Sequence, residues 1–173
     1  MPGRVFRRRL PKPTDSGDEK VLASIEEFGF HAMHVRPWHH PEHADANAKL
    51  GPHPIYDVGV SYTVGLPYSH DHAELVVVGG LPDERAHDIL WEVVHLIERG
   101  EAFTAGDQSD LVLRDLPARF GPVAKHWRKD ILTYADWAAR RRQFEALQIL
   151  LPDGQGRFPT DGDYTGPPQP LLE

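Results

Sequence analysis

The chain contains no cysteine. Disulfides, thiolate nucleophiles and cysteine-ligated zinc or iron–sulfur sites are thereby excluded. It also lacks any apolar run approaching the ~20 residues that cross a bilayer. Its basic start has no apolar stretch behind it, as a secretory signal would. A cytoplasmic location and no membrane association are the expectations from these absences. Net positive charge is missing too: 26 acidic against 19 basic residues leave a formal charge of −7. That argues against a general nucleic-acid binder, which is normally basic. The local exception is Arg4, Arg7, Arg8, Arg9 and Lys12, read as a solvated arm.

What is present fits one domain. The 173 residues, 40% of them hydrophobic, can build a substantial core. Residues 1–14 read as a basic N-terminal arm, 15–151 as the domain, and 152–173 as a Pro/Gly-rich C-terminal extension. Asp15 or Ser16 caps a helix to about Phe28, with Val21, Leu22, Ile25 and Phe28 on one face and Gly29 at its end. A strand follows over 30–35, then a long loop over 36–56. Strands at 57–66 and 73–79 join through a short polar link, which favours antiparallel pairing. The clearest helix spans about 83–99, with Ala86, Ile89, Leu90, Val93, Val94 and Ile97 as its stripe. Short strands at 110–115 and 117–123, a helix at 130–142 and a buried strand at 144–151 complete the order. The spacing predicts an α+β domain with a mostly antiparallel sheet and helices packed on one face.

Strand 57–66 is two-sided in an unusual way. Val58, Val60, Tyr62, Val64 and Leu66 alternate with Gly59, Ser61, Thr63 and Gly65. The second face is nearly bare backbone, which admits close approach by a helix or a ligand. Thr63 and Gly65 of that face, with the adjacent Tyr62, are the candidate ligand-binding residues. Gln148, set among Leu147, Ile149, Leu150 and Leu151, joins them. A buried amide there either ties a loop to the sheet or faces a pocket.

Eight of the eleven histidines lie between His31 and His72. Neutral imidazoles with a carboxylate suit a divalent metal such as zinc or iron. His34, His70 and His72 are the candidate ligands. His72 with Glu74 is the candidate catalytic pair, the carboxylate orienting the imidazole as a general base. The spacing matches no strong metal motif, and no nucleophile elbow accompanies Ser61, Thr63 or Ser69. The bland alternative is a solvated loop with histidines capping strand ends. Arg140, Arg141 and Arg142 close a helix and, with Lys125, Arg128 and Lys129, form a basic face suited to an acidic partner or simply to solvent. Trp38, Trp91, Trp127 and Trp137 line either a pocket or the core.

The run Tyr62-Thr63-Val64-Gly65-Leu66, then His72-Ala73-Glu74-Leu75, then Gly80-Leu81-Pro82 before a helix resembles domain-of-unknown-function family 4262. Leu147-Gln148, Pro152-Asp153, Gly156-Arg157-Phe158-Pro159 and Gln169-Pro170-Leu171-Leu172 extend the resemblance over roughly residues 19–172. Asp71 and Ala73 depart from the family's usual Gly and Pro. The resemblance implies a bacterial, cytoplasmic accessory protein and assigns no chemistry.

Two functions follow as expectations. One is a binding or accessory module that recognises a protein or small ligand through the small-residue strand face and the His-rich loop. The alternative is a metal-dependent enzyme built on His70, His72 and Glu74, with His34. Extended termini make a homo-oligomer a further expectation.

Overall fold

The computed structural model describes residues 9–37, 54–79 and 81–173. Within it the chain forms an α+β domain around a six-stranded sheet of order β1-β2-β3-β6-β5-β4. The strands are β1 (His31–Val35), β2 (Val60–Val64), β3 (Glu74–Val78), β4 (Gln108–Ser109), β5 (Ala118–Pro122) and β6 (Ala146–Leu150). Every pairing is antiparallel except β3 with β6. That pair is parallel because everything between residues 78 and 146 crosses over from one strand to the other.

The expected hairpin of β2 and β3 forms with Tyr62 opposite Val76 and Val60 opposite Val78. Its link is not a simple loop but a single helical turn, α2 (Leu66–Ser69). Helix α1 (Ser16–Phe28) starts where Asp15 accepts the Asp18 amide at 2.9 Å and stops at Gly29, whose φ is +83°. Helix α3 (Asp83–Glu98) buries the predicted stripe.

The helices do not keep to one face, which corrects that expectation. Met33, Tyr62, Val76 and Gln148 share one side of the sheet. There they meet Val21 and Ile25 of α1, the Trp127–Ala138 region and Leu172. Leu75, Val77, Leu147 and Ile149 point the other way, against Leu90, Val93 and Val94 of α3. The central strands β3 and β6 are apolar on both sides, so both sides need cover.

Two elements differ from the sequence reading. The helix expected at 130–142 is two short ones, α4 (Lys125–Asp130) and α5 (Thr133–Ala138). The break lets Trp127 and Ile131, then Leu132, Ala135 and Ala138, all reach the same core. No strand spans 110–115: Leu111 is exposed there, and β4 is confined to Gln108–Ser109. Most of the long loop, including Trp38, His39, His40, His43 and His53, and the Arg4–Arg8 part of the arm lie outside the described residues.

The C-terminal extension is bound to the sheet. Gln148 donates to the Pro170 carbonyl at 2.8 Å and accepts the Leu172 amide at 2.9 Å. Gln169 exchanges two hydrogen bonds with the Leu151 backbone. Buried Asp153 collects donors from Gln155, Arg157 and Thr165. Burial alone would raise its pKa, but those donors outweigh it and hold the carboxyl well below its ordinary range.

Candidate functional site

The site grows from the end of β2. Past Val64 the chain needs a left-handed residue, and Gly65 supplies φ +112°. A Cβ there would stand 2.8 Å from Ile25 Cγ1. The strands splay at this point, and the Glu74 carboxyl fills the gap. It accepts Thr63 Oγ1 at 2.7 Å, the Gly65 amide at 2.7 Å and the Leu66 amide at 3.4 Å. Thr63 Oγ1 in turn accepts the Leu75 amide at 2.8 Å. Burial pushes the Glu74 carboxyl up to about 7, against the pull of its three donors. Thr63, Gly65, Leu66, Glu74 and Leu75, all within the segments that resemble the family, thus close one network at the start of α2.

Helix α2 presents Ser69 and His70. Ser69 Oγ contacts the Gly29 carbonyl, the Gly65 carbonyl at 3.0 Å and His70 Nδ1 at 2.7 Å. His70 Nε2 lies 3.8 Å from Glu98 Oε1 on α3. The end of α1, helix α2 and the outer side of α3 together enclose an open cleft of ≈580 Å³. Its walls carry Phe28 and Trp91, packed edge to face at 5.9 Å. They also carry Tyr68 and the carboxylates of Glu26, Glu27 and Glu98, with His70 as the single basic side chain among the described residues. Phe28, assigned to the buried face of α1 by its spacing, is instead 45% exposed at this rim.

The small-residue face of β2 is not a groove. Ser61 and Thr63 are buried, and α3 packs across β1, β2 and β3. Thr63 is committed to Glu74 and Leu75, and Gly65 to the turn. Tyr62 faces the opposite core, its hydroxyl accepting the Tyr134 amide at 3.3 Å. Burial pushes that phenol up to about 12. Gln148 locks the C-terminal strap and also lines a pocket of ≈200 Å³ beside β5.

The histidines expected to act together are held apart by separate partners. His34 Nδ1 lies 2.8 Å from Ser61 Oγ, and its ring 5.7 Å from that of His87. Burial lowers its pKa, with Asp83 opposing and His87 assisting. His31 is lowered by burial, then by His34 and His87. His72 lies 2.8 Å from the Ala73 carbonyl through Nδ1 and accepts the Phe103 amide at Nε2, 3.1 Å away. That geometry assigns the neutral Nδ1–H tautomer, and burial favours it by lowering the pKa. Both nitrogens of His72 are taken, and both oxygens of Glu74 serve Thr63, Gly65 and Leu66. The two do not form an acid–base pair. Nor do His34, His70 and His72 converge: among the described residues no group of three His, Asp or Glu side chains is arranged to hold a metal ion.

Sequence reasoning missed the cleft because its walls come from three helices far apart in the chain. The available signal was Glu26-Glu27-Phe28, an aromatic beside two carboxylates at a helix end. Chemically, aromatic faces ringed by carboxylates attract cations. Ser69, His70 and Glu98 are the residue types of a nucleophile relay. However, the one proton of Ser69 is also claimed by two backbone carbonyls, so the hydroxyl clamps α2 onto the end of α1.

The chain matches no curated protein and no solved structure. One family model matches it, over residues 24–165, and its description is "Domain of unknown function (DUF4262)".

Proposed function

The chain belongs to the DUF4262 family, and from that premise we propose that it is a bacterial, cytoplasmic binding module. Its cleft between α1, α2 and α3 takes a cationic group, such as an arginine or lysine side chain of a partner protein. The observation that supports this is the pairing of Phe28 and Trp91 with Glu26, Glu27 and Glu98 around ≈580 Å³ of open space. A guanidinium or ammonium over an aromatic face gains ~0.5–2 kcal/mol depending on desolvation. Charge-assisted hydrogen bonds to carboxylates add to that. The Glu74 network holds Ser69 and His70 in place before any ligand arrives, and preorganisation favours binding. The metal-enzyme alternative lacks a joined ligand set among the described residues.

The test is a ¹H–¹⁵N NMR titration with short Arg- and Lys-containing peptides and a Glu-containing control. The reading expects saturable shifts at Gly29, Ser69, His70 and Glu98 for the cationic peptides only. It also expects about a tenfold loss of affinity in Phe28→Ala/Glu98→Gln. Both side chains are well exposed, so the variant should fold. Equal binding of the acidic control, or unchanged affinity in the double variant, would overturn it.

A further inference from the structure

Another pocket lies between α4 and the turn that follows α5. We propose that it binds a phosphoryl group. Lys125, Arg128, Lys129, Arg141 and Arg142 line it, with Asp136 as the one acid in the wall among the described residues. Five cations gather there on a chain whose formal charge is −7. The concentration is therefore local and not a consequence of general basicity. Among the described residues, Lys125, Lys129, Arg141 and Arg142 make no ion pair. Like charges held this close repel, and an anion between them relieves the repulsion.

Two features show that the pocket is built. Arg128 is held in place: its guanidinium donates to the Phe144 carbonyl, pairs with Glu145 at 3.2 Å and lies 5.9 Å from the Phe144 ring. The turn after α5 places Arg140 and Arg141 consecutively in the left-handed region, at φ +55° and +56°. Residues other than glycine pay for that conformation, and such strain tends to collect at functional positions. The turn is nonetheless closed, since the amides of Arg140, Arg141 and Arg142 bond to Trp137, Asp136 and Ala139 at 2.8, 2.9 and 3.1 Å. Glycine would make the same turn without strain. At Arg141, which lines the pocket, an arginine is explained if its side chain is used.

Size and charge select the ligand. The pocket holds ≈130 Å³, below the ~300 Å³ at which pockets for drug-sized molecules begin. It suits one compact group and not a whole nucleotide. Forked guanidiniums match the oxygens of a phosphoryl group and bind them bidentately.

The experiment uses the full chain, with ¹H–¹⁵N NMR at fixed ionic strength and chloride as the balancing salt. The probes are inorganic phosphate and phosphoserine. Saturable shifts at the Arg128 side-chain Nε and the Arg141 and Arg142 amides are expected with both. Tighter phosphoserine binding means the group arrives on a larger molecule; equal binding means the free anion suffices. Two variants separate binding from folding. Arg140→Gly and Arg141→Gly both relieve a positive φ, so both should melt at or above the parent temperature. Only Arg141 lines the pocket, so only Arg141→Gly should weaken phosphate binding, by about tenfold. Shifts that never saturate, shifts that chloride reproduces, or equal losses in the two variants would overturn the proposal.

Discussion

Thr63 and Glu74 sit on neighbouring strands and share a 2.7 Å hydrogen bond at the point where those strands part. The threonine hydroxyl donates to the carboxyl and accepts the Leu75 amide, so it bridges β2 and β3 where the ladder ends. The same carboxyl takes the Gly65 and Leu66 amides. The turn that carries Ser69 and His70 therefore rests on a buried acid, not on a side-chain cap of its own.

That acid makes stability depend on pH in a specific direction. The Glu74 carboxyl moves from an ordinary 4.5 to about 7 on folding. The folded chain therefore binds a proton that the unfolded chain has released. The stabilisation is fully present below pH 4.5 and is lost as pH rises through about 7. That rise in pKa is worth roughly 3 kcal/mol. Chemical denaturation between pH 4 and 8 should show the parent losing stability relative to Glu74→Gln across that window. A constant difference between them would contradict the buried-acid assignment. Glu74→Ala strands two amides and a hydroxyl and should cost more than Glu74→Gln, at ~1–3 kcal/mol per orphaned group.

His72 has the opposite sign. Its folded pKa lies below the 6.5 of a free imidazole, first because it is buried. As pH falls below 6.5 the unfolded chain takes up a proton that the folded chain refuses, so stability is lost. Protonation at Nε2 would also cost the Phe103 amide its acceptor. Long-range ¹H–¹⁵N correlation should find the Nδ1–H tautomer and a titration midpoint under 6.5. An Nε2–H tautomer at neutral pH would refute the assignment. His72→Ala should flatten the acid limb of the stability curve and lower stability at pH 7 by ~1–3 kcal/mol.

Much of this fold is written in local pattern. The alternation of Val60, Tyr62 and Val64 places β2, and the stripe from Ala86 to Ile97 places α3. Asp15 and Gly29 bound α1, and Gln148 announces a tether. What stayed hidden depends on contacts between distant segments. The burial of Ser61 and Thr63 depends on α3 crossing their face, which no periodicity within β2 reveals. His72 looks like a candidate base until the Phe103 amide, 31 residues on, occupies its second nitrogen. The His70–Glu98 approach and the Phe28–Trp91 contact likewise join helices whose relative placement only the sheet order fixes.

Gly29 and Gly65 each combine a positive φ with a steric clash for an added methyl group. At Gly29 a Cβ would fall 2.5 Å from His70 Cε1, and at Gly65 2.8 Å from Ile25 Cγ1, both on left-handed backbone. Gly29→Ala should displace the His70 ring into the cleft. Gly65→Ala should lift α2 away from α1. Strain and overpacking each contribute ~1–3 kcal/mol. Gly106→Ala is the control: its φ is +98° and nothing lies within 4 Å of the added carbon, so it feels the backbone penalty alone. Thermal melts of the three should place Gly106→Ala as the mildest. If it proved as damaging as the others, the packing account of Gly29 and Gly65 would be wrong.

The Gln148 tether can be tested by inverting its donor. The amide nitrogen gives to the Pro170 carbonyl while the oxygen receives the Leu172 amide. Gln148→Leu removes both bonds and strands a buried amide, at ~1–3 kcal/mol. Gln148→Glu keeps the acceptor for Leu172 but turns a carboxylate oxygen toward the Pro170 carbonyl. Protonation restores a donor, so the folded form favours the neutral acid. Its stability should therefore be greatest below the ordinary carboxyl range and decline as pH rises. The Leu172 carbonyl also holds the Ala124 amide at 2.6 Å, so release of the strap should reach the start of α4. Hydrogen exchange at Ala124 and Leu172 should accelerate together in Gln148→Leu. In Gln148→Glu it should accelerate at neutral pH and recover on acidification. If the Ala124 amide kept its protection while Leu172 lost it, strap and helix would be anchored separately.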